Sequence, residues 1–123
     1  MSSAIEQFAG LVRSLMLSAD NIHTFLFSES PDDINASTNI NEFIYKFQAL
    51  KELYDSDNNY YSSLNPERLI FLMGEFYGEL YDYYLSDAPP QPTIDFKYKE
   101  LRQYYDMSIF PKYPYTVSGI NLN

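Results

Sequence analysis

The apolar positions Ile5, Phe8, Val12, Leu15, Ala19, Ile22 and Leu26 follow one another at alternating intervals of three and four residues. That period sets them on one side of an α-helix. The stripe predicts a helix over residues 4–27, about 36 Å long at about 1.5 Å per residue. Leu11, Met16 and Phe25 widen it beyond a two-stranded seam and favour a bundle over a lone coiled coil. The pattern stops at Ser28, Glu29, Ser30, Pro31, Asp32 and Asp33, where Pro31 cannot donate to a continuing turn and the two aspartates read as a solvated loop.

A second helix over 40–55 follows from Phe43, Phe47, Leu50 and Tyr54, with Ile44 and Leu53 beside them. Asn39 stands three residues ahead of Glu42, the spacing of a capping box in which each side chain satisfies a free backbone donor. The polar run Asp55, Ser56, Asp57, Asn58, Asn59 ends it. The third helix, 66–86, has Asn65 as cap, Pro66 at the first helical position and Glu67 near the positive end of the helix dipole. Its stripe of Leu69, Met73, Phe76, Leu80 and Tyr84 is broadened by Ile70, Tyr77 and Tyr81, so this helix is expected at the centre of the bundle. Gly74 and Gly78 sit inside it at about 0.8–1 kcal/mol each relative to Ala. Close approach of a neighbouring ring would offset that cost.

Residues 88–92 read as a stiff polyproline linker. A fourth helix over 94–107 carries Phe96, Leu101, Tyr104 and Tyr105 on its apolar side. In the tail 108–123, Pro111, Pro114 and Gly119 break any periodicity, and the aromatic segment is expected to pack back over the helices. Nothing alternates with period two for long enough to argue for a sheet. The expected fold is therefore all-α: a compact bundle of about four helices in one domain, 1–123, with an extended aromatic C-terminal arm.

Composition sharpens this. A chain of 123 residues buries one core but not two. With 46% hydrophobic and 20% charged residues it is too apolar for a disordered polymer. The absence of Cys excludes disulfides, thiolate metal sites and cysteine nucleophiles. Glu6, Gln7, Arg13 and Asp20 interrupt the first apolar run, which fits neither a signal peptide nor a membrane span, so a soluble, unprocessed, cytoplasmic protein is expected.

The chemistry-bearing residues are few. The lone histidine, His23, has Leu26 and Phe27 at the i+3 and i+4 positions where an acidic partner would stand, and reads as structural. No nucleophile elbow, Gly-rich phosphate loop or dinucleotide motif occurs, so no catalytic residue, no cofactor and no enzymatic activity are expected. Asp55, Asp57 and Asn59 begin like a calcium loop, but the sixth position holds Tyr60 and the twelfth Pro66 in place of the required Gly and Glu, so no metal site is expected.

Charge supplies the remaining signal. Eight bases face 17 acids, a net charge of −9. Residues 52–95 hold nine acids against Arg68 alone, while residues 96–123 hold Lys97, Lys99, Arg102 and Lys112 against Glu100 and Asp106. A negative body with a mildly positive end argues against direct contact with nucleic acid or an anionic membrane. In the third helix Glu75, Glu79 and Asp82 form one expected exposed row of carboxylates, and Tyr77, Tyr81, Tyr83 and Tyr84 stand beside it with more rings than one core face can take. Rings as anchors and acids for steering are the composition of a surface for a basic protein partner. The expected function is a small acidic binding module, of the inhibitor or immunity type, that masks a basic nucleic-acid-handling surface as a DNA mimic would. The alternative is a structural or assembly subunit, in which the long first helix and aromatic tail mediate docking or homo-oligomer formation.

Overall fold

The computed structural model describes residues 4–56, 66–86 and 88–109. They form an all-α bundle: α1 (Ala4–Phe27), α2 (Asp33–Ser56), α3 (Pro66–Tyr84) and α4 (Pro92–Tyr104), the last running into a π-helical turn at Tyr105–Ile109. No strand occurs among the described residues. The helices pair as two hairpins, α1 along α2 and α3 along α4, and the square closes through α2 on α3 and α1 on α4. Of the expected irregular tail 108–123, Ser108 and Ile109 belong to the π-helical turn, and 110–123 lie outside the described residues, as do the proposed cap Asn65 and most of the calcium-like loop.

One core joins all four helices. It includes Phe8, Val12, Leu15, Met16, Ala19, Ile22 and Leu26 from α1, Ile40, Phe43 and Leu50 from α2, Leu69, Met73, Phe76 and Leu80 from α3, and Ile94 and Leu101 from α4. At its middle Phe43 and Phe76 meet edge to face, centroids 5.3 Å apart at 86°, the arrangement that aligns positive ring edge with negative ring face. From Phe8 to Leu26 the stripe read along α1 is thus spent within the molecule.

Two helix starts differ from expectation. The second helix begins at Asp33, not near residue 40. Its cap is Asp32, whose Oδ1 accepts the Asn35 backbone N–H at 3.0 Å while Oδ2 accepts from the Asn35 amide at 2.6 Å. These bonds hold the Asp32 carboxyl below its ordinary pKa. Asn39, expected as cap, lies inside the helix and donates to the Asn35 carbonyl one turn back at 2.9 Å. Phe25 closes the hairpin by accepting the Asp32 N–H at 2.9 Å. The fourth helix begins at Pro92, counted above as linker; proline suits a first helical position because the N–H it lacks would be unbonded there.

Nor is α3 central. It occupies one corner of the square, packed on α2 and α4. The surplus rings of its broad stripe therefore reach solvent: Phe71 is 55% exposed, and Tyr81 and Tyr84 are each 44% exposed. The two glycines of α3 behave differently. A Cβ on Gly74 would meet Phe47 Cζ at 3.6 Å, an ordinary contact, so a ring does approach there. A Cβ on Gly78 would meet nothing within 4 Å, so the expected close neighbour is absent.

Candidate interaction surface

The structure splits the six residues singled out in α3 between two sides of the helix. Glu75 turns toward α4 and accepts a hydrogen bond from Lys97 Nζ at 2.8 Å. That bond holds the Lys97 ammonium above its ordinary pKa, with burial opposing. Glu79 accepts from the Thr93 hydroxyl, also across to α4. The expected exposed row of three is therefore not an open row. Lys97 and Thr93 lie one helical turn apart on α4 and stand opposite the two glutamates, and of the three acids Asp82 alone is exposed without a partner among the described residues. Glu79, Asp82 and Tyr83 do share a cleft of about 250 Å³ with Ser86, Pro89, Gln91 and Ile94, where the end of α3 meets the start of α4. The Tyr83 hydroxyl, however, reaches Asp33 at the start of α2, at 3.3 Å. Burial and that carboxylate both raise its pKa.

Tyr77 and Tyr81 face the other way. Tyr77 leans on Phe47 of α2 with centroids 5.3 Å apart and stacks on Tyr81 at 6.0 Å and 13°. They continue a seam between α2 and α3 that opens outward as a groove of about 530 Å³, lined by Phe47, Gln48, Lys51, Ile70, Phe71, Gly74, Glu75 and Tyr77. Gly74 contributes no side chain to it, and the Arg68 guanidinium covers part of the Phe71 ring at 5.7 Å. On the outward side of α2, Tyr45 is 77% exposed.

The polar cluster that sequence reasoning missed lies on the opposite side, between α1 and α4. His23 Nε2 donates to Asp95 Oδ1 at 2.6 Å, and the ring stacks on Tyr98 with centroids 4.2 Å apart at 14°. The Tyr98 hydroxyl donates to Asp20 Oδ1 at 2.6 Å, and Arg102 Nη1 reaches Asp20 Oδ2 at 3.0 Å. Arg102 also bridges to Asp106 at 3.2 Å, and Lys99 to Asp95 at 2.9 Å. Burial, and then the Asp20 bond, push the Tyr98 phenol far above its ordinary pKa. The His23 bond, followed by Lys99, holds the Asp95 carboxyl below its own. His23 thus has an acidic partner, which comes from a residue 72 positions away on α4 rather than from its own helix. The available signal was the excess of bases in residues 96–123 beside an acidic body, which called for α4 to pack by ion pairs.

The bases that α4 contributes to the mildly positive end are accordingly paired, although Lys99 stays exposed. Lys97, Lys99 and Arg102 are all held in intramolecular pairs, whereas Glu52 and Asp82 have no hydrogen-bond or ion-pair partner among the described residues and are exposed. Among the described residues no group of His, Asp or Glu side chains is placed to hold a metal, and no helix is long and apolar enough to cross a membrane. Comparison of the chain with protein-family models, with curated proteins and with solved structures gave no match.

Proposed function

We propose that the protein is a non-catalytic binding module that presents the outward face of α2 and α3 to a basic surface on a partner protein and masks it. The carrying observation is that α2 and α3 expose the rings Tyr45, Phe71 and Tyr81 together with the carboxylates Glu52 and Asp82, which have no partner among the described residues. Rings supply contact area at low entropic cost, and unpaired acids steer a basic partner and disfavour an acidic one. The excess of 17 acids over 8 bases supports the same reading, since pairing Lys97, Lys99 and Arg102 with Glu75, Asp95 and Asp20 leaves other carboxylates without a base. A partner whose basic surface handles nucleic acid would be blocked by competition.

Glu75 and Glu79 are poor sites for testing this, since reversing them breaks their bonds to α4. The test is Glu52→Lys combined with Asp82→Lys, read as the association rate with a captured partner across a salt series. The wild-type rate is expected to fall steeply with salt, by about tenfold or more between low and moderate ionic strength. The double variant should lose that dependence while keeping its thermal midpoint. A wild-type rate indifferent to salt would sink the proposal.

A further inference from the structure

We infer that the groove over Gly74 is an anchor site for a bulky apolar side chain carried on a lysine- or arginine-rich segment of a partner protein. This rests on the proposed function and adds where and by what chemistry the partner is held. The groove is walled by Ile70, Phe71 and Tyr77 and backed by Phe47 of α2, so its body is apolar. At Gly74 the helix contributes no side chain and the Phe47 ring stands beside it, a Cβ there meeting Phe47 Cζ at 3.6 Å, while Gly78 one turn on has nothing within 4 Å. Together the two glycines lower the side-chain barrier to an incoming chain on this side of α3. A groove between two packed helices suits an amphipathic helix, whose anchors recur every three to four residues.

Charge selects the occupant. Around the groove Glu52, Glu67, Glu75 and Asp82 stand against Lys51, Arg68 and the Lys97 that pairs with Glu75, an excess of one acid within a chain of net charge −9. A second copy would bring the same excess and repel, and nucleic acid would do so more strongly. A basic segment is attracted, and its flanking ammonium or guanidinium groups meet Glu52 and Asp82, which have no partners of their own among the described residues.

The test exploits a convenience of composition: the chain has no Trp. Emission from a synthetic lysine-rich amphipathic peptide bearing one tryptophan therefore reports the peptide alone. Titration with the full chain should give a saturable blue shift and move the amide resonances of Gly74 and Gly78. Gly74→Leu fills the groove and should weaken binding about tenfold or more, the loss expected when a buried anchor is excluded. Gly74→Ala, whose added Cβ makes an ordinary contact, should bind within about twofold of wild type. Should Gly74→Leu fail to fold, Phe71→Ala removes an exposed wall and is expected to cost about threefold or more. Binding that survives these changes in folded protein, or resonance shifts confined to another face, would overturn the groove while leaving the basic-partner reading intact. Equal binding of a peptide with Glu in place of Lys would overturn the charge argument and with it the proposed function. Self-association of the chain that competes with the peptide would overturn the choice of occupant in favour of a second copy.

Discussion

The two seams that join the hairpins solve the same problem with opposite chemistry. Between α2 and α3 the contact is made by rings, Phe43 on Phe76 and Phe47 on Tyr77, and beyond them it opens into a groove. Between α1 and α4 the core is flanked by a half-buried polar network, with His23 on Asp95 and Asp20 gripped by Tyr98 and Arg102. Apolar contact is non-directional and can be left unfinished at its edge, where it becomes a place for something else to bind. A hydrogen-bonded network is directional, and each member left without a partner is costly, so it must be complete within the molecule. The unfinished seam is for this reason the better candidate for recognition, and the finished one for setting how the hairpins align.

The largest test of this contrast is Phe47→Ala. Phe47 is almost fully buried and backs the groove, so its truncation is expected to cost about 3–5 kcal/mol, read as a fall in the urea midpoint. A much smaller loss would mean that the aromatic seam is not what holds α2 to α3.

Smaller, and aimed at the other seam, is a double-mutant cycle on Asp20→Asn and Arg102→Met. Each single change should destabilise by about 1–2 kcal/mol, because a carboxylate or guanidinium group loses a charge-assisted bond while its partner stays half-buried. The coupling should be about 1 kcal/mol and shrink with added salt. Additivity would show that the two residues are merely neighbours.

The smallest effect is a pH dependence at Asp95. Its folded pKa is depressed, so the stability it contributes is fully present above its unfolded value of about 3.9 and is lost as pH falls through the folded value. His23→Phe keeps a ring against Tyr98 but removes the donor. Stability curves of the two proteins are expected to run parallel above about pH 5 and converge below about pH 4. Curves that stay parallel into acid would show that the His23 bond does not hold the carboxyl down.

What could be read along the chain was whatever is periodic or local. The α1 stripe and the Pro66 start are both patterns a helix imposes on its own residues. The mistaken start of α2 is instructive, because any Asn or Asp followed three residues later by a polar side chain can cap, and both Asp32 with Asn35 and Asn39 with Glu42 meet that condition. Which one caps is decided by whether Ala36 and Ile40 have a core to enter, and both are fully buried. The candidate surface was harder still. Glu75 looks free until α4 brings Lys97 against it, and His23 looks unpartnered until the same helix brings Asp95. Those pairings depend on which helices pack side by side, which spacing within one helix does not encode.

The polar seam also bears on the order in which the molecule assembles. Its bonds join residues 72, 78 and 82 positions apart, from His23 with Asp95 to Asp20 with Tyr98 and Arg102, whereas the turn that forms the first hairpin joins Phe25 to Asp32. Closing a long loop costs more chain entropy than closing a short one. Loop entropy therefore favours closing the first hairpin before the seam between α1 and α4.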